Sequence, residues 1–267
     1  MSEQEHRDAW AALGVRADLP HPARVYNYLL GGTDNFAADR EAAEMSLRYQ
    51  PEIRDSAVGN RRFLRRAVRV MGDAGIRQFL DVGCGLPSTP NTHELVPGAR
   101  VVYVDLDPVA TARARELLAG DELTLVVEAD LRHAAAVLAA AAGLLDFSRP
   151  TGLLLVACLH NIPDADDAAG TVARYLPALA PGSYLAISHV TSEFAPGPMR
   201  AITEQYAQRG VTFVGRSRGA IADMFNGCEL LDPGVAQISR WRPDAADPDP
   251  APERVWGYAG VARLSPG

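Results

Sequence analysis

The spacing of apolar residues changes near residue 75 of the chain. Between residues 22 and 72 the apolar positions recur every three or four residues, as in amphipathic helices, and the clearest stripe comprises Phe63, Leu64, Ala67, Val68 and Met71. Gly72 and Gly75 follow this stripe, and glycine commonly ends helices. The pattern predicts a helical region over residues 1–75, with a short helix near residues 10–13 at its start.

Beyond residue 76, short and continuously apolar runs alternate with helical segments. The runs predict strands at 78–82, 101–105, 123–127, 153–158 and 183–187, and helices are expected between them at 108–119, 133–142 and 166–179. Strands without polar alternation are typical of a parallel sheet that is covered on both faces. The alternation of strands and helices indicates repeated βαβ units.

The last quarter of the chain has a different pattern. Helices are expected at 198–208 and 217–226, a short strand at 211–214, and two further strands at 235–241 and 254–263. The segment 242–252 is rich in proline and aspartate and is predicted to be a loop. A hairpin-like end on an otherwise parallel sheet predicts an α/β fold whose sheet is mostly parallel with an antiparallel C-terminal strand. Residues 76–267 would form its core and residues 1–75 a helical cover, in one structural unit.

The composition is that of a globular protein that is not built to bind polyanions. The 267 residues are 48% hydrophobic and 22% charged, with a net charge of −7. All 26 basic residues are arginine, and those clustered at 61–69 have the spacing of a solvated helix face. We therefore expect no nucleic-acid partner.

Cysteine usage and hydropathy bear on the compartment. Cys84, Cys158 and Cys228 are far apart and lack the spacing of metal ligands, which suits a reducing cytosol. The polar N-terminus has no signal-peptide pattern, and no apolar run is long enough for a membrane span. These features predict a cytoplasmic protein with no membrane partner and no bound metal.

A glycine turn and a distant carboxylate carry the clearest chemical signal. Gly83 and Gly85 follow the first predicted strand, and Asp105 ends the second one twenty residues after Gly85. In an open α/β sheet this arrangement holds a nucleoside, because glycine lets the backbone approach the ligand and tolerates positive φ. The carboxylate can then accept hydrogen bonds from both ribose hydroxyls.

The residues around this turn narrow the choice of nucleoside. A dinucleotide-binding turn has a third glycine where this chain has Ser88, and Pro87 and Pro90 suit a pyrophosphate-binding helix start poorly. The chain also has no lysine, so it has no Gly-Lys-Ser/Thr phosphate loop. A ligand with ribose and adenine but without phosphate fits better, and S-adenosylmethionine is such a ligand.

Several motifs resemble an actinobacterial family of S-adenosylmethionine-dependent methyltransferases that was once catalogued as a domain of unknown function. The most specific is the signature ARVYNYLLGGTDNFAADRE at 23–41, and further matches are DVGCGLPSTPN at 81–91, VDLDP at 104–108, LHNIPD at 159–164, SRWRP at 239–243 and WGY at 256–258. The resemblance implies a class I methyltransferase fold, which is Rossmann-like with a seven-stranded sheet, and S-adenosyl-L-methionine as cofactor.

The chain departs from the family pattern in two places. The segment between His93 and Ala99 is about four residues shorter, so we expect the first helix after the glycine loop to be short. His133 and Ala134 stand where the family usually has Asp-Pro. Neither change falls on the residues expected to bind the nucleoside.

Five positions on the strand ends are expected to contact the cofactor. Asp81 would order the glycine loop and receive the ammonium group, or it would only cap the loop. Asp105 and the neighbouring Leu106 would contact the nucleoside, whereas Asp107 resembles a helix N-cap before Pro108. Asp130 would accept a hydrogen bond from the adenine amino group, and Leu131 would offer its backbone N–H to the ring.

The signature and two histidines supply the remaining candidates. Arg24 or Tyr26 would reach the cofactor carboxylate, Asn35 would cap a helix or touch the ligand, and Gly31 would end a helix beside the site. The signature would form a lid over the cofactor, or a helix and turn that only pack on the core. His160 would act as general base or stack on the cofactor, and His189 has a similar position after the next strand.

The predicted activity is methyl transfer by in-line displacement at the sulfonium. By analogy the acceptor would be a small molecule of secondary metabolism. One alternative is another displacement on the same cofactor, such as aminocarboxypropyl transfer or cyclisation. Another is a non-catalytic regulatory protein that binds the cofactor. The sequence leaves the acceptor atom and the oligomeric state open.

Overall fold

A computed structural model describes residues 10–11, 14–245 and 252–265 of the chain. Within these residues eight strands form one sheet in the order β3-β2-β1-β4-β5-β8-β6, and β7 pairs with β8 beside this path. The strands are β1 (Gln78–Val82), β2 (Arg100–Asp105), β3 (Thr124–Glu128), β4 (Gly152–Val156), β5 (Tyr184–Val190), β6 (Cys228–Leu230), β7 (Ala236–Gln237) and β8 (Gly257–Leu264).

The described α-helices fall into two groups, one before the sheet and one between and after its strands. The first group is α1 (Pro22–Leu29), α2 (Ala37–Tyr49) and α3 (Ile53–Asp73). The second is α4 (Thr92–Leu95), α5 (Pro108–Leu117), α6 (Ala134–Ala141), α7 (Ala168–Ala173), α8 (Pro196–Ala207) and α9 (Arg218–Asp223). None of the described helices is both long and apolar enough to cross a bilayer.

Strands β1 to β5 are parallel, and β8 runs antiparallel between β5 and β6. The order reverses at β1, which has β2 on one side and β4 on the other. Ligands of open α/β sheets bind in the crevice at such a switch point, beyond the carboxyl ends of the strands. The topology therefore directs attention to the residues that follow β1, β2 and β4.

Alternate residues of each strand face opposite layers of helices. Leu80, Leu153 and Leu185 contribute to the core beneath α6, α7 and α9. Phe79 and Leu154, one residue away on the same strands, contribute to the core beneath α3. This arrangement explains why the strands are apolar throughout, as the continuous runs predicted.

A third apolar cluster lies away from the sheet. Val25 and Leu29 of α1 pack against α2 and against Tyr206 of α8. His21 caps α1 and Pro22 occupies its first turn, where the missing N–H costs nothing. Gly31, with a φ of +83°, follows the helix. The signature thus forms a helix and a turn, with the following helix α2 folded back on α1.

The five central strands and the antiparallel C-terminal strand are confirmed, with ends that differ from the predicted ones by at most three residues. The short helix predicted after the glycine loop is also confirmed, as the four-residue α4. The described sheet has eight strands rather than seven; β6 was not predicted, and β7 is the start of the strand predicted at 235–241. Two predictions lie partly outside the described residues: residues 12–13 of the helix predicted near 10–13, and residues 246–251 of the loop predicted at 242–252.

Three predictions were wrong in detail. The segment 211–214 is not a strand, because the Val214 N–H is bonded to the His160 carbonyl rather than to a sheet neighbour. The strand expected at 235–241 ends after Gln237 in a 3₁₀ turn. The helix expected at 166–179 is reduced to α7, because Asp167 is left-handed before it and Pro177 lies in a separate 3₁₀ turn after it.

Candidate active site

The glycine loop after β1 has the backbone geometry that its sequence predicts. Gly83 and Gly85 have φ values of +70° and +66°, in the left-handed region. A Cβ on Gly83 would lie 2.5 Å from the Cβ of Cys158, so only glycine fits there. A Cβ on Gly85 would meet nothing within 4 Å. The loop therefore requires glycine at position 83, and the absence of a side chain at Gly85 leaves open space beside the loop.

Asp105, at the end of β2, holds this loop and the following turn at once. Its Oδ2 accepts a hydrogen bond of 2.7 Å from the Gly85 N–H, and its Oδ1 accepts one of 2.9 Å from the Asp107 N–H. Burial raises the pKa of this carboxyl group. Each oxygen keeps a free lone pair, because a carboxylate oxygen can accept two hydrogen bonds. Asp107 is the N-cap of α5, as predicted.

Asp81 is a buried carboxyl group in β1, one residue before the strand ends. Its Oδ2 accepts a hydrogen bond of 2.8 Å from the Thr92 hydroxyl at the start of α4. Burial raises its pKa to about 6, and the charge of Asp105 acts in the same direction, while Thr92 and Arg61 lower it. A cation that approached Asp81 would relieve this unfavourable burial of charge.

The far end of the site combines an apolar shelf with an ionised carboxylate. Leu106 follows β2 and is 54% exposed although it is apolar. Asp130 follows β3 and accepts hydrogen bonds from the Arg132 guanidinium, the shortest of them 2.6 Å, which lowers the pKa of Asp130. Leu106 and Asp130 line the same cavity.

These groups surround a cavity of about 420 Å³, which we call the main cavity. Nine of the predicted residues line it: Tyr26, Asp81, Gly83, Gly85, Asp105, Leu106, Asp130, Leu131 and His160. Residues 20–23 and 210–212 border it opposite the strand ends. Gly31 lines a neighbouring cavity of about 230 Å³ that shares Tyr26 and Gly85 with the main one. The structure thus brings together most of the residues that the sequence analysis predicted to bind the cofactor.

Arg24 and Asn35 are not among the residues that line these cavities. Arg24 is 3% exposed, donates a hydrogen bond of 3.0 Å to the Leu19 carbonyl, and faces Asp39 and Asp107 at 3.5 and 3.6 Å. The Asn35 amide donates to the Asn27 side chain and to a backbone carbonyl. Both side chains hold the signature in shape because their polar atoms point into the protein rather than toward a ligand.

A smaller space, which we call the inner chamber, continues from the main cavity beyond the ends of β4 and β5. It has a volume of about 80 Å³. Seven residues border both spaces: Pro22, Tyr26, Asn60, Ala157, His160, Asn161 and Val211. The chamber is enclosed by α1, α3, the end of β5 and the segment after α8.

A chain of buried hydrogen bonds fixes the wall between these elements. The Ala157 N–H donates to the Ser188 hydroxyl, which donates to Oδ1 of Asn60. The Asn60 amide donates to the Tyr26 hydroxyl at 2.9 Å, and Tyr26 donates to the Ala57 carbonyl at 2.9 Å. Every member of the chain is satisfied, so α1 is held against α3 and the sheet in one arrangement.

His160 lies on a short 3₁₀ turn after β4. Ala157 precedes the turn with a φ of +57°, an uncommon conformation for a residue with a side chain. The His160 ring meets Phe213 edge-on, with 5.0 Å between ring centroids, and its Nδ1 is buried without a hydrogen-bond partner. Burial lowers the pKa of His160 well below its usual value, and nearby positive charge adds to this. The imidazole is therefore neutral at physiological pH.

His189 differs from His160 in having both ring nitrogens engaged. Its Nδ1 is 2.7 Å from the Val190 carbonyl, and its Nε2 is 2.9 Å from the Arg216 guanidinium. Because a carbonyl only accepts and a guanidinium only donates, Nδ1 carries the proton and the lone pair of Nε2 is occupied. Burial lowers the pKa of His189 to about 4. This geometry gives His189 no free nitrogen with which to accept a substrate proton.

Sequence reasoning missed several residues that shape the site. Arg216 donates to the carbonyls of Leu159 and Ile162, on either side of His160 in the chain, and so clamps its turn. No local pattern marks Arg216. Asn60 could have been found from the sequence, because it is a polar residue on the apolar face of a predicted helix, three positions before Phe63.

The main cavity fits an adenosine ligand that carries an amino acid and no phosphate. Asp105 offers free lone pairs for a diol, Leu106 an apolar shelf, and buried Asp81 a carboxylate suited to a cation. Gly85 leaves the open space that a side chain would fill. The described residues include no cluster of three or more metal-ligating side chains. Fold and cavity together define a Rossmann-like protein that binds a nucleoside at the switch point of its sheet.

Comparison with known proteins gives the family. The model of the S-adenosyl methyltransferase family matches residues 8–265 of this chain. The chain therefore belongs to this family and is an S-adenosylmethionine-dependent methyltransferase. No curated protein sequence gave a significant match.

Two similar crystal structures come from actinobacteria. A DUF574 family protein from Streptomyces avermitilis is 40% identical, with a TM-score of 0.88 over 93% of this chain and 100% of that one. A putative methyltransferase from Thermobifida fusca is 39% identical, with a TM-score of 0.85 over 93% of this chain and 96% of that one. The N-methyltransferase NodS from Bradyrhizobium japonicum, in complex with S-adenosyl-L-homocysteine, shares the fold at 14% identity and a TM-score of 0.50, over 90% of this chain and 98% of that one.

Proposed function

We propose that this enzyme methylates a small molecule that binds in the inner chamber, with the cofactor in the main cavity. The observation that carries the proposal is the chamber itself. It adjoins the main cavity at the carboxyl ends of β4 and β5, and His160 borders both spaces. The small volume of the chamber supports a small molecule as the acceptor.

The cofactor would lie with its adenine over Leu106 and beside Asp130 and Leu131. Its ribose hydroxyls would donate to Asp105, and its ammonium group would lie near Asp81 and the glycine loop. S-adenosylmethionine supplies an electrophilic methyl carbon: a bond from the acceptor atom forms as the methyl–sulfur bond breaks, and the bonding pair stays on sulfur. The protein contributes the positions of both reactants and a site without bulk water.

His160 would accept the proton that an O–H or N–H acceptor loses on methylation. Its neutral ring makes no hydrogen bond to the described residues, and it stands where the two spaces meet. A buried imidazolium is ordinarily unfavourable, as the lowered pKa indicates. Methyl transfer offsets this cost, because one positive charge disappears from sulfur as another appears on the imidazole. The net charge of the site stays constant during the reaction.

The N-terminal helices would act as the lid. Ala23 and Tyr26 border the main cavity opposite Asp81 and Asp105, and Val25 and Leu29 border the inner chamber. Deleting the segment would expose the apolar cluster shared with α8, so truncation is a poor test. Hydrogen exchange is better: S-adenosylhomocysteine should slow exchange in residues 22–49. Unchanged exchange there, at saturating ligand, would limit these helices to a structural role.

Product analysis tests the proposed reaction. The purified enzyme is incubated with S-adenosylmethionine and a library of small acceptors, both charged and uncharged, and the nucleoside product is identified by mass spectrometry. We expect S-adenosylhomocysteine in amounts equal to the methylated acceptor. Methylthioadenosine would instead indicate aminocarboxypropyl transfer or cyclisation, and tight cofactor binding without turnover would favour a regulatory role. A role in secondary metabolism and a cytoplasmic location are part of this proposal.

A further inference from the structure

The wall of the inner chamber carries no charged side chain among the residues that the structure describes. Aliphatic and aromatic groups form most of it, including Val25, Leu29, Ile53, Val211 and Phe213. A charged group is stable away from water only when a partner of opposite charge or several hydrogen bonds replace its hydration. The chamber offers no counter-charge, so a carboxylate, phosphate or ammonium on the acceptor would be strongly disfavoured there.

Most of the polar atoms in the wall are already engaged. The hydroxyls of Tyr26 and Ser188 belong, with the Asn60 amide, to the hydrogen-bond chain described above. His189 is held between a backbone carbonyl and Arg216. An acceptor therefore finds few hydrogen-bond partners in the chamber.

Two polar atoms near the mouth remain without a partner. They are Nδ1 of His160 and Oδ1 of Asn161, both buried. Their residues are adjacent on the 3₁₀ turn and border both the chamber and the main cavity. The amide oxygen of Asn161 accepts a hydrogen bond, and the neutral imidazole of His160 has one nitrogen that accepts. Both atoms have almost no accessible surface, so an O–H or N–H group of a ligand reaches them only after a small movement of the turn, and the mouth then suits one such group.

The volume limits the size of the part that enters. At about 80 Å³, the chamber has about half the volume of the roughly 150 Å³ apolar cavity that is known to hold benzene. It can receive a methyl group and part of a ring, while the rest of the ring with its reacting group occupies the mouth.

We infer that the acceptor is a compact, uncharged and largely apolar compound, about the size of one ring, with one O–H or N–H group directed to His160 and Asn161. This inference rests on the proposed function and specifies its substrate class. It predicts discrimination among acceptors of similar shape by charge, and among uncharged ones by the presence of the donor group.

Binding to the enzyme saturated with S-adenosylhomocysteine tests the inference without requiring turnover. The probes are 4-methylphenol, 4-hydroxybenzoate, tyramine and toluene, measured by ligand-observed NMR. We expect 4-methylphenol to bind at least about tenfold more tightly than the anionic and cationic probes, and more tightly than toluene. Equal or tighter binding of 4-hydroxybenzoate or tyramine, or no binding of 4-methylphenol, would overturn the inference.

Variants that fill the inner chamber test whether 4-methylphenol binds there. Ala57→Leu adds three carbons to the chamber wall and should weaken binding of 4-methylphenol at least about tenfold, with S-adenosylhomocysteine affinity within about twofold. Ala207→Leu makes the same change at an exposed position of α8 and should alter neither affinity. If Ala57→Leu does not fold, Val25→Phe fills the chamber from α1. Unchanged 4-methylphenol binding in a folded filled variant would place the probe elsewhere and refute the assignment.

The two hypotheses fail in different ways. If the probes bind in the expected order but no S-adenosylhomocysteine forms from S-adenosylmethionine with any of many uncharged acceptors, the proposed reaction fails and the chamber's selectivity stands. If turnover occurs preferentially with charged acceptors, the reaction stands and the substrate class is wrong.

Discussion

The buried carboxyl group of Asp81 should make cofactor binding depend on pH. Its pKa is raised from 3.8 to about 6, chiefly by burial. A carboxyl group whose pKa is raised in the folded state destabilises the fold when it is ionised. For Asp81 this destabilisation is absent below pH 3.8 and complete above about pH 6. This raised pKa corresponds to a free-energy cost on the order of 3 kcal/mol for ionising the buried group. A bound ammonium group would relieve part of this cost.

The sign and size of the effect follow from this titration. Binding of S-adenosylhomocysteine would require ionised Asp81, whose fraction at pH 5 is roughly one-tenth and at pH 7 is nearly complete. The affinity should therefore rise about tenfold from pH 5 to pH 7. The ligand itself keeps its ammonium and carboxylate charges over this range.

Calorimetry measures both the affinity and the protons exchanged. Titrations of S-adenosylhomocysteine at pH 5, 6 and 7, in two buffers with different ionisation heats, should show release of about half a proton per ligand at pH 6. Asp81→Asn is the matched control, since it keeps the size of the side chain and removes its titration. It should bind more weakly at pH 7 and lose the Asp81 part of the pH dependence. Identical slopes in both proteins would refute a role of Asp81 in binding the ammonium.

Three further predictions concern other parts of the site. Asp105→Ala should weaken S-adenosylhomocysteine binding at least about tenfold, because charge-assisted hydrogen bonds of about 1.5–3 kcal/mol each are lost. It should also lower the melting temperature, because two backbone N–H groups lose their acceptor. An unchanged affinity by calorimetry would show that Asp105 only caps the loop. Arg216→Met should lower kcat at least about tenfold, with the dissociation constant of S-adenosylhomocysteine within about twofold, since the clamp on the turn of His160 is lost; an unchanged kcat would show that the turn needs no clamp. His160→Gln should lower kcat at least about tenfold with little change in cofactor affinity, and a wild-type rate at every pH would show that the reaction needs no proton acceptor at this position.

The parts of the site that follow from local sequence were predictable. A continuous apolar run specifies a strand covered on both faces, and two glycines after it specify a turn with positive φ. The spacing from this turn to Asp105 is one βαβ step, so the carboxylate had to reach the same edge of the sheet. For the same reason Asp81, Leu106, Asp130 and Leu131 all line the main cavity.

The outcome for individual polar side chains was not predictable from local pattern. Arg24 lies in the signature, but Asp39 and Asp107 draw its guanidinium into the protein. His160 follows β4 and His189 lies near the end of β5, yet only the His189 ring is hydrogen-bonded to Arg216. These partners are distant in sequence, and hydrophobic periodicity contains no information about which polar groups meet.

By itself, then, the sequence determined the order of the five parallel strands, the glycine turn after the first of them and the carboxylates at the strand ends. The tertiary structure alone decided which histidine has a free nitrogen and that an uncharged chamber lies beside it. The chamber is assembled from α1, α3, the end of β5 and the segment after α8. Its shape and charge depend on how elements more than a hundred residues apart pack together, and no single segment encodes that packing.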